Sequence, residues 1–93
     1  AEALFAQGAQ ALKAGDAQAA RVAFEQAAQV VGPSARSQMA VGMCDYLLGD
    51  PAAALARFRE ALALDPAHID ARSMQVLALA RLGHAEEART QIR

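Results

Sequence analysis

Side chains able to catalyse a reaction or bind a metal are few in this 93-residue sequence, and their spacing suits neither task. His68 and His84 are sixteen residues apart, whereas metal-binding histidines on a helix typically lie three to five residues from another ligand. Cys44, the single cysteine, has no histidine near it in sequence to activate its thiol. We therefore expect solvated or capping histidines, a buried structural thiol, and neither a metal site nor a cofactor site.

Carboxylates also lack the pattern of an acid–base site. Glu86 and Glu87 are adjacent, but they fit the solvated first turn of a helix, where acidic groups interact favourably with the helix dipole. Arg89 and Arg93 follow on later turns as ordinary surface partners. The sequence contains no glycine-rich phosphate loop. It therefore predicts a protein that is not an enzyme.

Composition and charge exclude several classes of partner. With 55% hydrophobic residues, 20% charged residues and a net charge of -1, the chain resembles a soluble globular domain rather than a disordered tail. Its nine basic residues are scattered among ten acidic ones, so we expect no binding of nucleic acid. No apolar run approaches the ~20 residues of a membrane span, so we expect no direct membrane insertion. Cys44 does not distinguish a cytoplasmic from a periplasmic location.

The sequence repeats itself with a period of 34 residues. Several series of residues recur in phase, which chance explains poorly. They divide the chain into units 1–34, 35–68 and 69–93, the last ending about nine residues short of a full period. We expect one domain, cut from a longer protein because its first residue is not methionine and already lies in a helical pattern. The series are Gly15, Gly49 and Gly83; Ala20, Ala54 and Ala88; and Phe24, Phe58 and Ile92.

Each unit reads as two antiparallel helices separated by a glycine. In the first unit, a helix over residues 2–14 ends at Gly15, which can adopt a left-handed backbone conformation, and Asp16 caps a second helix that runs to about residue 31. The second unit repeats this with Gly49 and Asp50, then places Pro51 at the first helical position. Its second helix ends near residue 64, before an Asp-Pro pair.

The third unit departs from this pattern. Its first helix should run to about Leu82 and break at Gly83. His84 stands where the other two units have the capping aspartate, so we expect a weaker start to the next helix.

The period and its punctuation resemble the tetratricopeptide repeat family. The first unit ends differently, with Pro33 one residue later than in the family pattern, and the third has Val76 in place of glycine. The resemblance implies an all-α fold, a right-handed α-solenoid of about two and a half helix pairs. The matching residues are Gly8, Ala20, Phe24 and Ala27 in the first unit and Gly42, Ala54, Phe58, Ala61 and Ala63 to Pro66 in the second.

Small residues should lie where the paired helices cross. Gly8 and Ala20, with their equivalents in the next unit, allow two helices to approach closely. Phe24 and Phe58 should then fill the remaining space, and replacing either with alanine should cost about 3–5 kcal/mol.

The resemblance also implies that the first helix of each unit lines a concave groove, where partners of the family bind. The inward positions are Glu2, Phe5, Ala9, Leu12 and Lys13; Arg36, Met39, Met43, Tyr46 and Leu47; and Asp70, Ser73, Leu77, Ala80 and Arg81. From them, the predicted partner-binding residues are Phe5, Leu12, Met39, Met43, Tyr46, Leu47, Leu77 and Arg81.

Methionine side chains are flexible and polarizable, so this groove suits an apolar peptide or an amphipathic helix. The alternative is that these residues are interior, covered by a neighbouring repeat or capping helix. The lysine, asparagine and arginine clamp by which some members of the family hold a carboxylate tail is absent. Phe5, Ala9, Ala40, Asp70 and Met74 occupy its places.

Three functional hypotheses follow. The first is a protein-interaction scaffold, bacterial by its Ala- and Arg-rich composition, for which the family resemblance implies a role in secretion, in envelope assembly or as a chaperone. The second is a self-assembly module, because the incomplete third unit leaves an apolar face without a capping helix and favours a homo-oligomer. The third is a recruiting domain of a larger enzyme whose catalytic part lies elsewhere.

Overall fold

A computed structural model describes the backbone of residues 2–91 and the side chains of residues 2–83, and within these residues the chain forms five α-helices. No strand occurs within residues 2–91, which confirms the all-α prediction. Among the helices described, none has the length and apolar character needed to cross a membrane. The helices are α1 (Glu2–Lys13), α2 (Ala17–Val31), α3 (Ala35–Leu47), α4 (Pro51–Leu64) and α5 (Ile69–Gln91).

The turns within the first two units form as predicted. Gly15 and Gly49 have positive φ angles of 82° and 89°, a conformation that costs glycine little. The carboxylate of Asp16 accepts a hydrogen bond of 3.0 Å from the backbone N–H of Ala19 at the start of α2. Asp50 caps α4 in the same way, with Pro51 at the first helical position. The same chemistry therefore reverses the chain twice, 34 residues apart.

The start of α3 has a cap that the sequence analysis missed. Ser34 Oγ accepts a hydrogen bond of 3.1 Å from the backbone N–H of Ser37, and Ser37 Oγ accepts one of 3.0 Å from the backbone N–H of Ser34. This reciprocal arrangement is a capping box, with serine in place of the usual glutamate. It fixes the junction between the first and second units, directly after Pro33.

The third unit corrects the predicted helix break. α5 continues through Gly83 to Gln91, and Gly83 lacks the positive φ of its two counterparts. The sequence offers His84 instead of a capping aspartate, and Val76 instead of the glycine that permits close approach of a second helix. Continuing the helix satisfies the backbone groups that an uncapped break would leave unpaired.

Consecutive helices pack against each other along the chain, and α3 also contacts α5. Phe24 and Phe58 are buried, at 5% and 0% exposure, as predicted. Each ring lies against the glycine of the preceding helix. A Cβ atom built on Gly8 would lie 2.4 Å from Phe24, and one on Gly42 would lie 2.6 Å from Phe58. The two helix pairs thus cross so closely that only glycine fits.

Candidate partner-binding surface

Six of the predicted partner-binding residues lie on α3 and α5, and we call this set the concave strip, after the concave groove that the family resemblance implies. Side chains at its centre are half-buried, and those at its edge are open to solvent, with Leu47 60% and Leu77 48% exposed. Arg81 of α5 lies over the ring of Tyr46 of α3, with its guanidinium carbon 5.1 Å from the ring centre. That contact joins the two helices into one surface. The concave strip consists of Met39, Met43, Tyr46, Leu47, Leu77 and Arg81.

The two predicted residues on α1 lie differently. Phe5 is 7% exposed, and its ring centre is 6.1 Å from that of Phe24. Arg36 covers the ring, with its guanidinium carbon 3.8 Å from the ring centre. Phe5 therefore belongs to the core and offers little surface to a partner. Leu12 is half-buried against the same core cluster.

One edge of the predicted groove, at the first turns of α1, α3 and α5, carries Glu2, Arg36 and Asp70, and the first two of these charges pair with each other. Arg36 Nη1 donates a hydrogen bond of 2.7 Å to Glu2 Oε1 across the junction between the first two units. This hydrogen bond holds the pKa of the Glu2 carboxyl below its usual value. The sequence contains a sign of this contact, since Glu2 and Arg36 are 34 residues apart and so occupy equivalent positions.

The opposite edge, at the last turns of α1 and α3 and the middle of α5, carries positive charge that no carboxylate of residues 2–83 pairs. It consists of Lys13, Leu47 and Arg81, which share one position in successive units. Among residues 2–83, no carboxylate lies within 4.0 Å of the Lys13 or Arg81 side chain. We call these three residues the basic edge.

The residues considered for chemistry have structural roles where their side chains are described. His68 Nδ1 accepts a hydrogen bond of 3.1 Å from the backbone N–H of Ala71, so His68 caps α5 as expected. Cys44 is fully buried, and burial raises the pKa of its thiol to about 11. A neutral thiol at physiological pH is a poor nucleophile. His84, Glu86 and Glu87 lie outside the described side chains, and the described side chains form no cluster that could hold a metal ion.

A buried ion pair, which the sequence analysis missed, links the first two units. Asp45 is 3% exposed, and its Oδ1 lies 2.9 Å from Nε of Arg21. Its Oδ2 is buried and accepts no hydrogen bond from the described residues. Burial raises the pKa of the Asp45 carboxyl and outweighs the lowering effect of Arg21 and Arg57. Asp45 is thus a structural residue, and keeping its carboxylate charged in this buried position costs electrostatic free energy.

Comparison with known proteins agrees with this architecture. A family model described as tetratricopeptide repeat matches residues 46–93, more than half of the chain. No curated protein matches the sequence significantly. Tetratricopeptide repeats generally serve as protein–protein interaction modules. The repeat period, the paired helices and this match together show that the chain belongs to the tetratricopeptide repeat family.

Proposed function

We propose that the chain is a non-catalytic interaction module that binds an apolar segment of a partner protein along the concave strip. The exposure of Leu47 and Leu77, at 60% and 48%, is the observation that supports this most directly. Both sit beside half-buried methionine and tyrosine side chains on adjacent first helices. Burying such a strip against a partner would remove apolar surface from water at about 25 cal/mol per Å².

The chemistry of the strip suits a short segment rather than a rigid domain face. Met39 and Met43 can repack around side chains of different shape, and Tyr46 combines an apolar ring with a polar hydroxyl. Recognition of a peptide or helix by rows of side chains in a groove follows the same physics as other helix-in-groove complexes. The family resemblance suggests a role in bacterial secretion, in envelope assembly or as a chaperone, and identifying the partner would decide among these.

A matched pair of substitutions tests this proposal. Met43→Glu places a charge in the half-buried centre of the strip, whereas Val30→Glu places one on α2, at a side chain that is 67% exposed. A pull-down from the source organism's lysate should capture a partner with the wild type and the Val30 variant but not with the Met43 variant. Circular dichroism and thermal melting of all three proteins check that folding is intact.

The interior interpretation makes a different prediction. If Met43→Glu lowers the melting temperature sharply while Val30→Glu does not, the residue belongs to a packed interior and the groove proposal fails. Tyr46→Ala provides a second variant without introducing a charge. It should weaken capture and leave the melting temperature near that of wild type.

Self-assembly is a second candidate, favoured by one other surface. Ile69 and Val76 of α5 are 78% and 61% exposed, and they border a hollow of about 260 Å³ with Ala67, Arg72 and Ser73. Position 76 corresponds to the glycines that the second helix covers in the first two units. A second copy of the chain could cover this face instead.

Light scattering distinguishes the two candidates. Self-assembly predicts an oligomer whose mass falls to that of a monomer in Val76→Glu, or when a polar capping helix is added after Arg93. A wild-type monomer at all concentrations would reject self-assembly and leave the groove proposal standing.

A further inference from the structure

We propose that the partner segment is acidic along one side, with its carboxylates facing the basic edge of the groove; this inference rests on the proposed function. The charges at the two edges differ in kind. At the first-turn edge, Glu2 and Arg36 pair over a distance of 2.7 Å, and Asp70 adds a negative charge, so this edge does not attract carboxylates. At the other, Lys13 and Arg81 have no carboxylate within 4.0 Å among residues 2–83.

Arg81 contacts the Tyr46 ring at the basic edge. Its guanidinium group lies over the Tyr46 ring at 5.1 Å, within the range of a cation–π contact. A guanidinium group carries its N–H donors in one plane, in a fork that matches the two oxygens of a carboxylate. Because the ring restrains the side chain, less rotamer freedom is lost when an anion binds.

The basic edge is continuous with the apolar strip. Leu47 lies between Lys13 and Arg81 in the order of the units and is 60% exposed. Met43 and Leu77 lie next to this edge, one helical turn before Leu47 on α3 and before Arg81 on α5. A partner that buries an apolar row against the strip therefore brings the residues on one of its sides to Lys13 and Arg81. Acidic residues there would form charge-assisted hydrogen bonds, whereas basic residues would be repelled.

The net charge of the chain allows a clean test, because the chain carries -1 overall. Non-specific attraction would favour a basic peptide, so a preference for an acidic one must come from local placement. The probes are two synthetic amphipathic peptides with the same leucine row, flanked on one side by glutamates or by lysines. Fluorescence anisotropy should show at least about fivefold tighter binding of the glutamate peptide at low salt, falling as salt is raised.

Two arginine variants locate the effect. Arg81→Glu should abolish or reverse the preference for the glutamate peptide, and Arg81→Lys should retain only part of it, because lysine keeps the charge but not the paired N–H donors. Arg59→Glu is the matched control, since Arg59 is an exposed residue of α4 outside the inward positions. It makes the same change in net charge and should leave the preference as in wild type.

The outcomes separate this inference from the proposed function. Equal binding of both peptides, abolished by Met43→Glu, would overturn the acidic partner and keep the groove. An equal loss of preference in the Arg59 and Arg81 variants would show that net charge alone decides, and would also overturn it. If neither peptide binds, both the groove and the acidic partner are rejected.

Discussion

At the scale of single residues, the contact between a glycine and an aromatic ring sets how closely the paired helices pack. A methyl group on Gly42 would lie 2.6 Å and 2.9 Å from ring atoms of Phe58 and 3.0 Å from Cβ of Arg57. The Phe58 side chain is fully buried and cannot move aside without disturbing its neighbours. In the third unit both members of this pair change, because Val76 takes the place of the glycine and Ile92 that of the phenylalanine. The close approach is therefore a property of the pair.

Gly42→Ala should destabilise the protein although alanine is the better helix former. Overpacking costs about 1–3 kcal/mol, against a gain in helix propensity of roughly 1 kcal/mol. Gly83→Ala is the control, because Gly83 is helical and a methyl group there would have no atom of residues 2–83 within 4 Å. It should raise the free energy of unfolding by about 0.5–1 kcal/mol.

Urea unfolding of both variants measures these changes. Adding Phe58→Leu to Gly42→Ala should restore part of the loss, so the two substitutions should not be additive. Additive losses would show that the ring and the glycine do not limit each other.

Asp45 should make stability depend on pH in a direction opposite to that of most carboxylates. Burial raises its pKa in the folded protein above that in the unfolded chain. The folded state therefore binds more protons between those two pKa values, and the free energy of unfolding falls as pH rises through them. The contribution of Asp45 is full below the unfolded pKa, near 3.9, and is lost above the folded one.

Asp45→Asn isolates this effect, because asparagine has a similar shape and does not titrate. As the pH is raised from 3 upward, the free energy of unfolding of wild type should decrease relative to that of the variant. A difference that grows in favour of wild type would mean that Arg21 lowers the pKa more than burial raises it. Denaturant melts at a series of pH values give the sign directly.

At the scale of helices, the caps decide where most segments begin and end. Asp50 Oδ1 accepts a hydrogen bond of 3.1 Å from the backbone N–H of Ala53, and Asp65 ends α4. Asp50→Ala should lower the free energy of unfolding by about 0.5–2 kcal/mol, because the first N–H groups of α4 lose their acceptor. Asp50→Asn keeps an acceptor at the same place and should change stability by only a few tenths. Equal losses in the two variants would assign the effect to charge rather than to the hydrogen bond.

The sequence allowed helix ends to be predicted wherever a specific side chain or backbone conformation marks them. α2 and α4 begin where predicted, because Gly15, Asp16, Gly49 and Asp50 determine the local backbone conformation and the caps. The end of α5 was predicted wrongly because Gly83 alone does not break a helix when no cap follows it. A glycine inside a helix costs only about 1 kcal/mol, less than two unpaired helix ends.

The candidate site was less predictable than the fold, because side-chain contacts between units depend on packing. Periodicity identified Phe5 as inward-facing, but not that Arg36 and Phe24 would cover it. The positions of Leu47 and Leu77 followed from periodicity, whereas the stacking of Arg81 on Tyr46 required the relative placement of α3 and α5. Equivalent positions 34 residues apart were a usable sign of the Glu2–Arg36 contact, because the repeat brings them together.

At the scale of the whole molecule, the chain is a row of helices in which packing runs mainly between neighbours in sequence. In such a row, stability is the sum of each unit and its interfaces, so the middle unit is supported on both sides. α3 contacts α2, α4 and α5, whereas α1 packs mainly on α2. Backbone amides of α3 and α4 should therefore exchange with solvent more slowly than those of α1.

Phe58→Ala tests whether the middle unit holds the row together. Phe58 of α4 is fully buried against α3 and α5. Its replacement by alanine should cost about 3–5 kcal/mol, a large share of the 5–15 kcal/mol free energy of unfolding typical of a small domain. Because both outer units depend on interfaces with the middle one, hydrogen exchange should accelerate in α1 as well as in α3 and α4. The matched Phe24→Ala should accelerate exchange mainly in α1 and α2, since α4 and α5 keep their shared core. Identical exchange patterns in the two variants would instead mean that the five helices unfold as a single cooperative unit.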